Sequence, residues 1–261
     1  MIDKIKNIPV VRKDLLFPFI IITSIFALWG IANDLTNPMV SAFKKVMPEL
    51  SNVQASLVQF AFYFGYFFMA IPAALFIRKY SYKSGILLGL ILYAIGTFLF
   101  YPAAIYEEYN YFLISLWVIT CGLAFLETTS NPLILSLGDK ETATQRLNLA
   151  QAFNPIGSLT GMIIAQVFVI SAIRSDDFTT KAYNALSSEE LAAIRENDLG
   201  IISIPYIGLG VLVLVITVII FFTKIPIPSE QNKMSLSASF KKLLANNNYK
   251  RGVLTQAFYV G

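Results

Sequence analysis

Six long apolar stretches divide the sequence, and each is long enough to cross a membrane as an α-helix. They cover residues 15–37, 53–77, 84–103, 111–137, 147–172 and 201–223. A hydrocarbon core of about 30 Å is crossed by roughly 20 helical residues. The stretches are continuously apolar and do not alternate with polar residues, which argues against the strands of a barrel. The sequence therefore predicts an all-α membrane protein with six transmembrane helices.

Composition and charge agree with this prediction. Hydrophobic residues make up 56% of the chain and charged residues 14%, whereas soluble domains contain about 25% charged residues. Of the 20 lysines and arginines, 15 fall in segments at one end of the predicted bundle and 5 at the other. Because positive charge concentrates in cytoplasmic loops, we expect a multi-pass protein of the bacterial inner (plasma) membrane with its amino terminus in the cytoplasm. The basic surface then faces lipid headgroups, and no nucleic-acid partner is expected.

Several classes of chemistry are disfavoured by what the sequence lacks. There is no histidine, which removes His-based catalytic triads and HExxH zinc sites. No Gly-rich phosphate-binding motif is present, and Cys121 is the single cysteine. We therefore expect no enzyme activity, no catalytic residue, no metal and no cofactor. An intramembrane enzyme is kept as an alternative, which product formation from labelled lipid or peptide would revive.

The segments outside the six stretches suggest how the chain is divided. Residues 1–223 form the predicted six-helix domain, and the polar, basic residues 224–250 form a predicted cytoplasmic linker. Residues 251–261 are apolar but span only about 15 Å as a helix, so we expect the start of a seventh helix and a missing second half of the same protein. Within the outer stretch 173–200, Ser187 and Glu190 predict a capping box that opens a short surface helix, which Gly200 would end.

An internal repeat relates the first three predicted helices to the last three. Two sequence patches recur at nearly one offset. Thr36-Asn37-Pro38-Met39 is echoed 94 residues later by Ser130-Asn131-Pro132-Leu133. Leu57-Val58-Gln59, followed by Gly65, is echoed 92 residues later by Leu149-Ala150-Gln151, followed by Gly157. Such a duplication predicts a 3+3 inverted repeat, the plan of one half of a transporter.

Two acidic residues, Asp34 and Glu127, lie within predicted spans, and the other 14 are assigned to tails and loops. An ionised carboxylate at a helix centre costs at least about 2.5–3.5 kcal/mol on insertion scales. A carboxyl group in such surroundings is suited to taking up and releasing a proton near neutral pH. The alternative is that each acid only hydrogen-bonds neighbouring helices.

Polar side chains near these acids are candidates for binding a solute. The amides are Asn33, Asn37, Gln59, Asn131, Gln151 and Asn154, and the hydroxyl-bearing aromatics are Tyr63 and Tyr66. Together with Asp34 and Glu127 they are predicted to line a cavity that hydrogen-bonds several hydroxyl groups. Hydrogen bonding between helices is an equally good explanation for each single amide. Gly157-x-x-x-Gly161 is interpreted as close helix packing and not as a site.

The sequence resembles the sugar–proton symporters of the major facilitator superfamily, and within them the L-fucose symporter branch. The resemblance extends from about Leu28 to the last residue. It is carried by several blocks in order: Ala61-Phe-Tyr-Phe-Gly-Tyr-Phe67, Ile71-Pro-Ala73, Ser81-Tyr-Lys83, Leu126-Glu-Thr128, Asn131-Pro132, Arg146-Leu-Asn-Leu-Ala-Gln151 and Phe153-Asn154. The resemblance implies twelve spans in two six-helix halves around a central sugar site, with this chain as the first half.

Particular residues inherit roles from this resemblance. A span-four Glu is implicated in coupling and sugar binding in that family, and it corresponds to Glu127, while Gln151 matches a position that faces the sugar. The family also has a span-one Asp, in a pattern similar to Asn-x-Leu-Asn-Asp. Its last position falls on Asn37 here, and this chain places its own acid one turn earlier, at Asp34.

The functional hypothesis is a secondary active transporter that carries a sugar with a proton. L-fucose or a related hexose such as glucose or galactose is the expected substrate, and sodium is the alternative coupling ion. Glu127 and Asp34 are the expected proton-coupling residues, and small-molecule sugar and membrane lipid are the expected partners. A proton-coupled exporter of drugs or other small solutes is the rival with the same fold, and a six-span scaffold is the simplest alternative.

Overall fold

A computed structural model describes residues 8–183, 185–225 and 236–260, and this part of the chain is helical with no strand. The α-helices are Leu16–Thr36, Met39–Val46, Asn52–Lys79, Tyr82–Phe98, Phe100–Tyr106, Tyr109–Ser136, Ala143–Gln151, Phe153–Ile164, Thr180–Tyr183, Ser188–Phe222, Leu236–Ala245 and Asn247–Val260. Ala165–Ile170 is a π-helical segment. Short 3₁₀ turns occupy Lys13–Leu15, Lys140–Thr142 and Arg174–Asp177.

These helices form six segments that are long and apolar enough to cross a membrane, as the sequence predicts. In the described residues, spans one to six are Lys13–Val46, Asn52–Lys79, Tyr82–Tyr106, Tyr109–Ser136, Lys140–Ile170 and Ser188–Phe222. The predicted all-α fold class is therefore confirmed. Each predicted stretch lies largely within its span, and the main difference is the start of span six.

Span six begins earlier than predicted because Gly200 does not end a helix. The predicted capping box is present: the Ser187 hydroxyl accepts the Glu190 amide at 3.3 Å, and Glu190 Oε2 accepts the Ser187 amide at 3.0 Å. The helix then continues without a break from Ser188 to Phe222. A glycine inside a helix costs about 1 kcal/mol. Continuation past Gly200 buries Ile202 and Tyr206 completely, which outweighs that cost.

Glycines bring pairs of spans into backbone contact. A Cβ atom at Gly157 would overlap the backbone of Ala27, and one at Gly161 would lie 2.6 Å from the carbonyl oxygen of Ile31, so span five lies directly against span one. A Cβ at Gly65 on span two would overlap the side chain of Thr120 on span four. The close packing predicted for Gly157-x-x-x-Gly161 is confirmed. Spans one and five therefore pair as spans four and two do, which is the relation expected from the repeat.

The chain separates into two compact units, Met1–Ile227 and Pro228–Gly261. The second unit contains the helices Leu236–Ala245 and Asn247–Val260. Residues 226–235 of the predicted linker lie outside the described residues. The helix that includes the predicted start of a seventh span begins at Asn247, four residues before the predicted boundary.

Asp198 is a correction to the sequence interpretation, which assigned it to a loop. It lies within span six and is fully buried. Its Oδ1 atom accepts the amide of Arg174 at 2.9 Å, and its Oδ2 atom accepts the amide of Ser175 at 2.8 Å. Asn197 Nδ2 donates to Oδ1 at 3.1 Å. The carboxylate therefore holds the segment between spans five and six against span six.

Two ion pairs join the region between spans five and six to the end of span one. Lys45 pairs with Asp176, and Arg195 Nη2 lies 2.6 Å from Glu49 Oε1. Both pairs are largely exposed, so each contributes at most about 1 kcal/mol. The buried Asp198 is thus the stronger of these links.

At the opposite end of the bundle, Arg146 is fully buried, although the sequence places it in a connecting segment. Its guanidinium donates to the carbonyl oxygens of Ile134 at 3.2 Å and Leu135 at 2.9 Å, at the end of span four. It also donates to the carbonyl oxygens of Asp139 and Val10 and to the hydroxyl of Thr142. Arg146 therefore caps span four and holds the segment that precedes span one.

We expect Asp198→Ala to lower the free energy of unfolding by about 2–4 kcal/mol, because two largely buried amide groups lose their acceptor. The measurement is the melting temperature of the purified protein in detergent. Asp177→Ala is the matched control, since Asp177 is exposed in the same short turn. Equal melting temperatures for the two variants would contradict the role given to Asp198.

Candidate functional site

The first polar cluster joins spans one and two near the end of the helix Leu16–Thr36. Asn37 Nδ2 donates to Asp34 Oδ1 at 2.8 Å. Gln59 Nε2 on span two donates to Asn37 Oδ1 at 3.4 Å. Asn37 therefore links the carboxylate of its own span to the amide of the next span.

The second polar cluster joins spans four and five. Gln151 Nε2 donates to Asn131 Oδ1 at 3.3 Å. Asn131 Nδ2 donates to the backbone carbonyl of Glu127 at 3.2 Å. The side chain of Asn131 thus accepts one hydrogen bond from span five and donates one to the backbone of its own helix.

The two clusters contain the same amide pair at equivalent positions of the internal repeat. Gln59 and Gln151 are 92 residues apart, and Asn37 and Asn131 are 94 residues apart. Each glutamine lies six residues before the glycine, Gly65 or Gly157, that contacts the partner span. The recurrence of this side-chain contact adds structural support to the duplication that the sequence patches indicate.

The clusters differ in what happens to the acid. The Asp34 carboxylate accepts a hydrogen bond from Asn37, whereas the Asn131 amide is directed to the backbone of Glu127. Among residues 8–183 and 185–225, no side chain or amide donates to the carboxyl group of Glu127. The second cluster therefore leaves an acid whose hydrogen-bonding capacity is still available.

Glu127 lines an open cavity of about 430 Å³ between spans two and four. The other lining residues are Tyr66, Ala70, Ala124, Thr128, Asn131 and Pro132, and none of the seven is basic. Ligand cavities commonly have volumes of about 300–1,000 Å³. The size and the convergence of carboxyl, hydroxyl and amide groups suit a small polar solute.

Tyr66 contributes a hydroxyl group whose orientation is constrained by span one. Trp29 Nε1 donates to Tyr66 Oη at 2.6 Å. An indole N–H is only a donor, so Tyr66 acts as the acceptor and retains its own proton for donation. That proton is therefore available to Glu127 or to a solute in the cavity.

The two acids lie at different depths and do not form one cluster. Asp34 is two residues from the end of the helix that starts at Leu16, and Glu127 is nine residues from the end of the helix that starts at Tyr109. Each is 18 residues, or about 27 Å, from the start of its helix. Because consecutive spans alternate in direction, the starts of spans one and four are at opposite ends of the bundle. No hydrogen bond joins the two clusters within the described part of spans one to five.

Three further predicted residues, Asn154, Tyr63 and Asn33, belong to neither polar cluster. Asn154 Nδ2 donates to the carbonyl oxygen of Phe26 at 3.3 Å, so it joins span five to span one. Tyr63 is 63% exposed and contacts the ring of Phe62. Asn33 is half-buried, one residue before Asp34. Of the ten residues predicted to line one cavity, Tyr66, Glu127 and Asn131 line the cavity of Glu127, and the other seven do not.

Sequence reasoning missed Trp29 and Thr128. Thr128 lines the cavity, and its hydroxyl donates to the carbonyl oxygen of Ala124 at 2.7 Å. Trp29 lies four residues before Asn33, and this helical spacing was the available signal that it shares a face with the polar residues of span one. A tryptophan within an apolar stretch was otherwise indistinguishable from one that contacts lipid.

Comparisons with known proteins agree with this architecture. The family model described as Major Facilitator Superfamily matches residues 15–260. The L-fucose-proton symporter of Haemophilus influenzae is 52% identical over 260 residues, which cover 98% of this chain and 60% of that protein. The L-fucose-proton symporter of Escherichia coli is 37% identical, covering 95% and 57%. A glucose/galactose transporter of Brucella abortus is 34% identical, covering 82% and 48%.

Two solved structures of a Major Facilitator Superfamily transporter also match this chain. A crystal structure of the E. coli fucose:proton symporter matches with a TM-score of 0.79 and 35% identity, over 92% of this chain and 58% of that one. A second crystal structure, of the same transporter in an outward conformation, matches with a TM-score of 0.74 and 36% identity, over 88% and 55%. The chain spans somewhat more than half the length of these structures.

We expect a cysteine placed at Ala70 to react with a charged, water-soluble maleimide, because Ala70 lines the cavity and is exposed. The native Cys121 is buried and serves as an internal reference that does not react. Ala94→Cys is the control, since Ala94 is 2% exposed. Reaction needs an accessible thiolate. An unreactive Ala70→Cys variant would show that the cavity is not wetted, and the measurement is the labelled fraction over time.

Proposed function

Because the chain belongs to the Major Facilitator Superfamily, we propose that the complete protein is a secondary transporter that moves a sugar together with a proton. The observation that carries the proposal is the carboxyl group of Glu127, which lines the cavity and receives no hydrogen bond from the described residues of the bundle. A carboxyl group in this state is free to exchange a proton and to bind a hydroxyl group of a solute.

Glu127 provides the coupling step in this proposal. An ionised carboxylate within a span costs at least about 2.5–3.5 kcal/mol, and the cavity lining contains no basic side chain to offset that cost. Conformational exchange across the membrane therefore favours the protonated carboxyl group. A proton taken up on one side is carried with the sugar and released on the other.

The amide and hydroxyl groups bind the sugar. Asn131 and Gln151 present a linked pair of amides beside Glu127, and Tyr66 presents a hydroxyl proton. Gln59, Asn37 and Asp34 form the corresponding group on spans one and two. Sugar hydroxyls both donate and accept, which matches this mixture of groups. Groups from beyond this chain would complete the site, since relatives are substantially longer.

L-fucose is the proposed substrate. The relatives with 52% and 37% identity are L-fucose-proton symporters, whereas those named for glucose and galactose are 34% and 31% identical. Proton coupling is proposed on the same ground. The protein is proposed to act as a carrier without enzyme activity, in the bacterial inner membrane, with the basic end of the bundle in the cytoplasm.

We expect Glu127→Gln to abolish accumulation of labelled L-fucose driven by a pH gradient, because the amide keeps the size of the side chain but cannot carry a proton. Exchange of labelled for unlabelled sugar without a gradient should persist, since the amide still bonds hydroxyl groups. The measurement is uptake into vesicles that contain the full-length gene product, with L-fucose, glucose and galactose, and with proton or sodium gradients.

Glu108→Gln is the matched control, because Glu108 is an exposed acid at the outer start of span four. This variant should accumulate sugar as the parent protein does. Gradient-driven accumulation by Glu127→Gln would contradict the coupling role. Accumulation of glucose but not L-fucose would contradict the substrate, and dependence on sodium alone would contradict the ion.

We also expect the acid and the amide of the first cluster to be exchangeable. Asp34 and Asn37 are in direct contact, and family resemblance places an acid at the position of Asn37. Asp34→Asn should lower sugar uptake, and Asn37→Asp alone should lower it as well because it sets two carboxylates side by side. The double variant Asp34→Asn/Asn37→Asp restores one acid and one amide and should recover uptake. A double variant as impaired as the single variants would show that the position of the carboxylate is fixed.

A further inference from the structure

A groove lies between the start of span one and the end of span six, at the basic end of the bundle. Its volume is about 650 Å³. The walls include the apolar side chains of Phe17, Val218 and Phe222, which are 57%, 56% and 77% exposed. Asp14 and Lys224 lie at its rim. The groove is therefore apolar along the spans and charged where the spans end.

The described residues at and next to the rim carry a net positive charge. Arg12 donates to both carboxylate oxygens of Asp14, from Nη2 at 2.7 Å and from Nε at 3.2 Å, so these two charges offset each other. Lys13 is exposed one helical turn before Phe17, and Lys224 is exposed directly after the end of span six. Among the described residues, Lys224 in the lining and Lys13, next to the lining residue Asp14, form no ion pair.

The partial negative charge at the end of span six is offset by a lysine, so it does not repel an anion bound in the groove. The last carbonyl groups of a helix carry partial negative charge, which disfavours a bound anion. Lys83 Nζ donates to the carbonyl oxygens of Phe221 and Thr223, at 2.7 Å in both cases. Its ammonium charge offsets the helix terminus beside the groove. The electrostatic environment of the rim therefore favours a negative group.

We propose that this groove binds one phospholipid with an anionic headgroup. The acyl chains lie along Phe17, Val218 and Phe222, and the phosphate lies between Lys13 and Lys224. Basic pockets between transmembrane helices at the cytoplasmic end of a bundle recognise anionic headgroups in this way. A zwitterionic headgroup is a poorer match, because Asp14, the acid that the described lining contributes, already pairs with Arg12 and is not available to an ammonium group.

The test is native mass spectrometry of the detergent-purified full-length gene product, titrated with phosphatidylglycerol and, separately, with phosphatidylethanolamine. Each lysine near a headgroup contributes about a fivefold increase in affinity, so Lys13→Gln/Lys224→Gln should weaken phosphatidylglycerol binding by about 25-fold. Val218→Trp fills the apolar part of the groove without changing its charge and should also weaken binding. Lys79→Gln is the control, since Lys79 is an exposed lysine at the end of span two and does not line the groove.

Weaker binding in the double lysine variant and in Val218→Trp, with unchanged binding in Lys79→Gln, supports the proposal. Equal weakening by Lys79→Gln would show general attraction to a basic surface and would overturn it. Phosphatidylethanolamine bound as tightly as phosphatidylglycerol would overturn the anionic assignment. Unchanged binding in Val218→Trp would overturn the groove as the site. All variants alter exposed side chains, and unchanged helical content by circular dichroism verifies their folding.

Discussion

Close contact between helix backbones at glycine residues is the constraint on which the rest of the bundle depends. Gly157 lets span five approach the backbone of span one, and Gly65 lets span two approach span four. Six residues before each glycine, a glutamine reaches an asparagine of a neighbouring span. A larger residue at either glycine would separate the helices and move the glutamine away from its partner. The polar clusters therefore depend on positions that carry no side chain.

The sequence was sufficient for features that depend on local information. Span length and hydrophobicity predicted six helices, and the spacing of the two repeated patches predicted an equivalence that the Gln59–Asn37 and Gln151–Asn131 contacts support. Features that depend on tertiary contacts were predicted wrongly or were not predicted. Gly200 continues a helix because the following turn is buried, and Trp29 is polar-facing because Tyr66 lies opposite it. Neither fact can be derived from neighbours in the sequence.

Satisfied hydrogen bonds distinguish the two fully buried charged residues, Asp198 and Arg146, from Glu127, which is half-buried. Asp198 accepts two backbone amides, and Arg146 donates to four carbonyl groups and one hydroxyl. Burial of such groups is tolerable because their partners replace water. Glu127 has no comparable set of partners among the described residues, and it borders a cavity. The hydrogen bonding therefore favours a structural role for Asp198 and Arg146, and it leaves Glu127 as the candidate for the proposed proton exchange.

The glutamine–asparagine contact recurs in the two repeats, but the hydrogen bonding of the neighbouring acid does not. In the first repeat, the side-chain amide of Asn37 donates to the neighbouring carboxylate of Asp34. In the second repeat, the equivalent amide of Asn131 donates to the backbone carbonyl of Glu127, so the Glu127 carboxyl group receives no hydrogen bond from it. Asp34 lies three residues before its asparagine, whereas Glu127 lies four residues before its own. The two repeats therefore present carboxyl groups that differ in position and in hydrogen bonding, a polarity that two identical repeats would lack.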